Sequence, residues 1–207
     1  MLQLNSALDF LESAVSYALA CVVMVTPEFL PCPTPCADWD LETLLDHLTD
    51  SIGVLNEALV TGGIGPGAAP GHHGPDHGDS GCPGPGGSCC QSSGHTVARL
   101  RAQAASLLTT CADAGSGERL VAIGDRELAA SLVALTGAIE ISAHGWDVAR
   151  ACDVRAPIPS ALASTLLPLA PLLVTPDTRP MLFADPVWLP ESAHPGDRLL
   201  AFLGRHP

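Results

Sequence analysis

Leucine and isoleucine recur at helical spacing after Asp40: Leu41, Leu44, Leu45, Leu48, Ile52, Leu55 and Leu59 fall on one broad face. That stripe predicts a long amphipathic helix running to about Val60. Such a helix must bury its face against others of its kind. The same periodicity appears over 5–24 in Leu8, Leu11, Val15, Leu19 and Val22, with Ser6 as a cap and Pro27 as the stop. It returns from near Thr96 to about Ala112 (Leu100, Leu107, Leu108) and from about Arg126 to Cys152. A further apolar helix starts near Pro159 and includes Leu162, Leu166 and Leu169, with Pro168 and Pro171 making its end irregular. Between the first two helices, Pro31–Trp39 is a rigid connection, after which Asp38 or Asp40 can cap and Glu42 sits in the acidic first turn. Arg119–Ile123 and the stretch around Met181–Leu189 read as short extended pieces, and Asp197–Leu203 as a last helical turn. No βαβ alternation and no glycine fingerprint for a dinucleotide or P-loop site is present. Four long helices with short or irregular connections therefore predict an all-α helical bundle.

Residues 61–94 interrupt the pattern. They hold 12 of the 20 glycines and 5 prolines, and no periodicity survives. This segment reads as a flexible insertion between helices. The expected organisation is a bundle over 1–175, interrupted by that loop, with 176–207 as a short, irregular C-terminal extension packing on it.

The 207 residues fit one domain or one domain with a small appendage, and the formal charge of −13 repels phosphate. Nucleic acid and anionic membranes are thus excluded as partners. The longest apolar run, Ala18–Val25, is too short to span a bilayer and lacks the flanks of a signal peptide. Cytoplasm is the expected compartment. A bundle with a bare apolar face would leave a homodimer open. The eight cysteines form no paired CxxC array, so they read as free thiols or metal ligands. Cys21, Cys111 and Cys152 fall on helices as small buried hydrophobes, while Cys32 and Cys36 flank a Pro-rich turn with packing as the default role.

The fourth helix carries the residues of chemical interest. Glu140 and His144 are four apart and share a face, and Asp147 follows three further on. His47, at the edge of the second helix's leucine face, would point into the bundle. Two imidazoles and one carboxylate from two helices would leave a coordination position open, the arrangement of a catalytic metal site. The competing structural reading is a hydrogen-bonded helix pair and an ordinary core histidine.

Thr34–Leu48 (TPCADWDLETLLDHL), Glu140–Ala151 (EISAHGWDVARA) and the ending Asp197–Gly204 (DRLLAFLG) resemble the DinB-like superfamily. They are most similar to the actinobacterial branch around the N-terminal domains of mycothiol-dependent maleylpyruvate isomerases. The resemblance implies an up-and-down four-helix bundle holding a divalent metal, zinc first and nickel second, on His47, Glu140 and His144. It also implies a mycothiol-type small thiol as cosubstrate and a transferase or isomerase reaction on a small electrophile. A bound metal would lower the thiol's pKa for attack. Asp147 then either acts catalytically by orienting a ligating imidazole, or caps or pairs with Arg150. Trp146 packs between helices or contacts substrate. Arg150 and Arg198 bind a thiol's carboxylate or are surface charges.

His72, His73, His77, Cys82, Cys89, Cys90 and His95 are unusual for that family. These seven donors in 24 residues make a possible second metal or thiol site. The alternative function is a non-enzymatic metal handler built on this loop. The bland reading is adventitious binding, because glycine-rich donors must lose chain entropy to converge.

Overall fold

The computed structural model describes residues 3–36, 39–64, 89–115, 117, 119–176, 179 and 183–207, with the side chains of 89–93 excepted. Among them are seven α-helices and one three-stranded sheet. The long helices are α1 (Leu4–Val22), α2 (Leu41–Thr61), α3 (Cys89–Asp113) and α4 (Ala130–Ala151). Shorter ones follow: α5 (Ser160–Leu166), α6 (Ala170–Leu173) and α7 (Pro195–Phe202). The strands are β1 (Gly63–Ile64), β2 (Leu120–Ile123) and β3 (Arg126–Ala129). No described helix is long and apolar enough to cross a membrane.

The leucine stripes dictate the packing. α1 lies along α4, α2 packs on both α3 and α4, and α1 also meets α3. Leu8, Leu11 and Val15 of α1, Leu44, Leu48 and Ile52 of α2, and Leu100 and Leu107 of α3 are all buried in one core. α4 is buried on nearly every side, as its alanine- and glycine-rich sequence permits. Two of its glycines set helix separations. A Cβ on Gly137 would lie 2.4 Å from Leu55 Cδ2, and one on Gly145 would lie 3.0 Å from Ala18 Cα. The first is closer than real Cβ contacts allow and the second is unusually tight, so α2 and α1 approach α4 where side chains are missing.

Local signals fix the ends of α2. The Asp40 side chain accepts from the Thr43 amide at 2.9 Å, satisfying an orphan N–H of the first turn. Gly62, at φ 75°, closes the helix in the left-handed region. Asp38, the other expected cap, lies outside the described residues. α1 starts at Leu4 with no side-chain cap, so Ser6 lies inside the helix rather than before it. The chain leaves α1 at Val22, and Pro27 opens a 3-10 turn, Pro27–Phe29, instead of ending the helix directly.

The sheet is the main departure from the helical expectation. Arg126–Ala129, read as the start of the fourth helix, is instead β3. It pairs antiparallel with β2 from Ile123↔Arg126 to Leu120↔Ala129. The two-residue turn Gly124–Asp125, with Gly124 at φ 60°, folds one strand back on the other. β1 adds a parallel edge to β2 (Gly63↔Ala122, Ile64↔Ile123), so the segment expected to be loop from 61 onward begins with α2's last residue and a strand. α3 likewise starts at Cys89, earlier than its apolar periodicity indicates. In the tail, Val187 donates its amide to the Ala201 carbonyl of α7, while Met181 and Leu182 lie outside the described residues.

Candidate metal centre

α2 and α4 bring three expected donors together. One ligand atom each from His47, Glu140 and His144 lies within 4.8 Å of the others. His47 Nε2 is 3.4 Å from Glu140 Oε1. Two ligands about 2.1 Å from a tetrahedral zinc ion sit about 3.4 Å apart, so this pair has ligand spacing already. The His47 and His144 rings meet edge to face with centroids 5.1 Å apart. Trp39, just before the α2 cap, lies 4.7 Å from the His47 ring and 6.4 Å from that of His144. The cluster is only partly screened: the His47 and Glu140 side chains retain 18% and 32% exposure.

Each donor is prepared by a neighbour. Burial alone would raise the Glu140 pKa, but the His47 hydrogen bond, the electrostatic interaction with His144 and the Ser51 hydrogen bond outweigh it, and the carboxyl is held below its ordinary range. Ser51 Oγ donates to Glu140 Oε1 at 2.6 Å. Ser51 follows His47 by four residues on α2, so one helix face supplies both the imidazole and the hydroxyl. His144 Nδ1 lies 3.1 Å from Asp147 Oδ2, one turn further along α4. A proton on Nδ1 donated to that carboxylate leaves the lone pair on Nε2, the tautomer a ligating imidazole needs.

Asp147 is itself held. It is fully buried, and Arg205, past the end of α7, donates to it through Nη2 at 2.8 Å and Nε at 3.3 Å. Burial would raise its pKa, yet the His144 hydrogen bond and the Arg205 charge bring it down to about 2. Of the two expectations for Asp147, orientation of the imidazole matches this geometry. The ion-pair partner is Arg205 rather than Arg150.

Cys36, His144 and Asp147 also form a compact donor group. The Cys36 thiol donates to Asp147 Oδ2 at 3.3 Å, and Arg205 Nη2 stands 3.7 Å from its sulfur. Burial and the Asp147 charge push the Cys36 pKa up to about 12, so the sulfur is a neutral thiol. A guanidinium already occupies the cationic position there. This group suits a hydrogen-bonded brace, whereas among the described residues no guanidinium is hydrogen-bonded to His47 or Glu140.

The remaining expected residues divide. Trp146 is buried, and the Arg150 guanidinium lies 5.6 Å over its ring. Arg198 donates to the Glu191 carbonyl at 3.4 Å. Among the described residues, no hydrogen bond or ion pair joins Trp146, Arg150 or Arg198 to the three donors. His95 is exposed on α3. His72, His73, His77 and Cys82 lie outside the described residues, as do the side chains of Cys89 and Cys90. Cys21, Cys111 and Cys152 are buried free thiols.

The fold and the cluster define a class: a mostly helical protein with a candidate mononuclear centre of two imidazoles and a carboxylate. The chain belongs to the mycothiol maleylpyruvate isomerase N-terminal domain family, a DinB-like family, which it matches over residues 11–149. No curated protein and no solved structure matches it. His47, Glu140, His144 and Asp147 lie inside the matched span, and Arg205 lies beyond it.

Proposed function

We propose that this protein is a metal-dependent, thiol-using transferase or isomerase, with a mycothiol-type thiol as cosubstrate and a small electrophile as substrate. The carrying observation is the convergence of donor atoms from His47, Glu140 and His144 within 4.8 Å. The residues fit a divalent cation: a carboxylate held ionised, an imidazole with its tautomer set by Asp147, and a second imidazole already at ligand spacing from the carboxylate. When bound, such an ion supplies Lewis acidity that lowers the pKa of an incoming thiol. His47, Glu140 and His144 would hold it, zinc ahead of nickel, and three protein donors leave room for a thiol. Asp147 and Arg205 keep the His144 ring in register, and Trp39 walls the site beside His47. The family match supports the thiol, and the partial exposure of the cluster supports access.

We further read the four long helices as the DinB-like up-and-down bundle, with 176–207 as an extension whose Arg205 reaches back to α4. A cytoplasmic setting accords with the family's thiol.

The test is metal content of the purified full chain, followed by thiol titration of the loaded protein. One divalent ion per chain, lost in His47→Ala, with thiol competing for the ion's open position, is expected. No stoichiometric metal, or unchanged metal and activity in His47→Ala, would sink the reading. Ions beyond one per chain that vanish on deleting 71–95 would instead favour the metal-handling function of the His/Cys-rich loop.

A further inference from the structure

Beside Glu140, an open pocket of about 180 Å³ lies between α2, α4 and the sheet. Ser51, Val54 and Leu55 line it from α2, and Val133, Thr136, Gly137, Glu140 and Ile141 from α4. Ile64, Ile123 and Leu128, one from each strand, complete the wall. The sheet thus supplies one side of the cavity, and Gly137 keeps its helix wall low. Glu140 is shared: its carboxylate belongs to the donor cluster, and the residue also lines the pocket.

The chemistry of that wall is one-sided. The chain contains no lysine, and none of its nine arginines lines the pocket. Arg205 is committed to Asp147, Arg119 to the Leu59 carbonyl, and Arg99 to Asp46 and Asp50. Both lining hydroxyls are already used as donors, Ser51 to Glu140 and Thr136 to the Leu132 carbonyl. Among the described residues, an anionic group placed there would find no cation and no unengaged side-chain donor in the wall, and Glu140 would be its charged neighbour. Burying a charge without partners is costly, whereas an apolar group would gain by leaving water.

We propose that this pocket binds the uncharged, apolar part of the electrophilic substrate, a group of benzene-ring or short branched-alkyl size, rather than a carboxylate-bearing one. The volume sets the scale, since an apolar cavity of about 150 Å³ accommodates benzene. The inference deepens the proposed function and rests on it for one point, that the reactive end of the molecule reaches the Glu140 end of the pocket.

The test uses two probes of the same shape and opposite charge character, 4-fluorobenzyl alcohol and 4-fluorobenzoate, followed by fluorine NMR titration of the full chain. It is run first on chelator-treated protein, so that a carboxylate cannot bind by ligating a metal. The alcohol is expected to bind at least tenfold more tightly than the benzoate. Thr136→Trp, at an exposed position on the rim, and Leu128→Asp, at a half-buried one on β3, are each expected to weaken the alcohol at least tenfold while helical circular dichroism and metal content stay unchanged. Benzoate binding as tightly as the alcohol, or alcohol binding unchanged in either folded variant, would overturn the proposal. Failure of the metal reading shows separately, as absence of metal from the untreated protein, and leaves the preference for the neutral probe standing.

Discussion

Arg205→Met removes the only guanidinium on a fully buried carboxylate among the described residues, and its cost can be worked out. Asp147 has no exposure, and the Arg205 side chain retains 9%. The carboxyl is held from 3.8 down to about 2, a net preference for the charged form of roughly 2 kcal/mol. Without Arg205 the burial penalty on Asp147 is opposed by the His144 contact and the Cys36 thiol. Breaking a buried pair by removing one partner costs about 3–5 kcal/mol. We expect a loss of about 3 kcal/mol at pH 7, read by urea unfolding, and a fall in Tm of roughly 6–12 °C for a chain of this size. The pH dependence has a definite sign. A depressed carboxylate pKa gives stability that is full above about pH 4 and is lost as pH falls through the folded value of about 2. The gap between wild type and Arg205→Met should therefore be constant near neutrality and shrink between about pH 4 and pH 2. Adding Asp147→Asn should recover part of the loss, with a coupling of about 2 kcal/mol in the double-mutant cycle. A variant within about 0.5 kcal/mol of wild type, or a gap that does not change with pH, would refute the reasoning.

Three further outcomes follow from the same contacts. Asp147→Asn keeps the shape of the side chain but weakens its hold on His144 Nδ1, and metal affinity, read by competition with a chelator, should fall about 10- to 100-fold. Ser51→Ala removes a hydrogen bond that lowers the Glu140 pKa, so the pH at which metal binding is half lost should move upward in a metal–pH titration. Gly137→Ala places a Cβ where Leu55 already stands, 2.4 Å from Cδ2, and should destabilise the protein by about 1–3 kcal/mol in urea unfolding.

The helices were legible because burial of a stripe leaves a periodic record, and the leucines of α2 mark both its extent and its buried face. The donors were legible for the same reason. Residues four apart on α4 share a face, and His47 sits at the edge of a stripe that must turn inward. β3 was not legible as a strand, because Arg-Glu-Leu-Ala has good helix formers and only the Gly124–Asp125 turn marks the hairpin. Ser51 carries one local signal, its four-residue offset from His47. Arg205 carries none. It meets Asp147 across 58 residues of chain, and nothing local to an arginine near a terminus reports the buried carboxylate it will find. Trp39 stands in the Thr34–Leu48 motif, but its place against the His47 ring goes with the bond its amide donates to the Cys36 carbonyl.

X-ray absorption at the zinc edge, on the full chain loaded with one equivalent of Zn²⁺ in thiol-free buffer, addresses the centre itself. Coordination by His47, Glu140 and His144 predicts nitrogen and oxygen neighbours at about 2.0–2.1 Å, imidazole outer scattering, and no sulfur. A sulfur neighbour at about 2.3 Å would assign the ion to Cys36 or to the cysteines of the 61–94 segment and contradict the account.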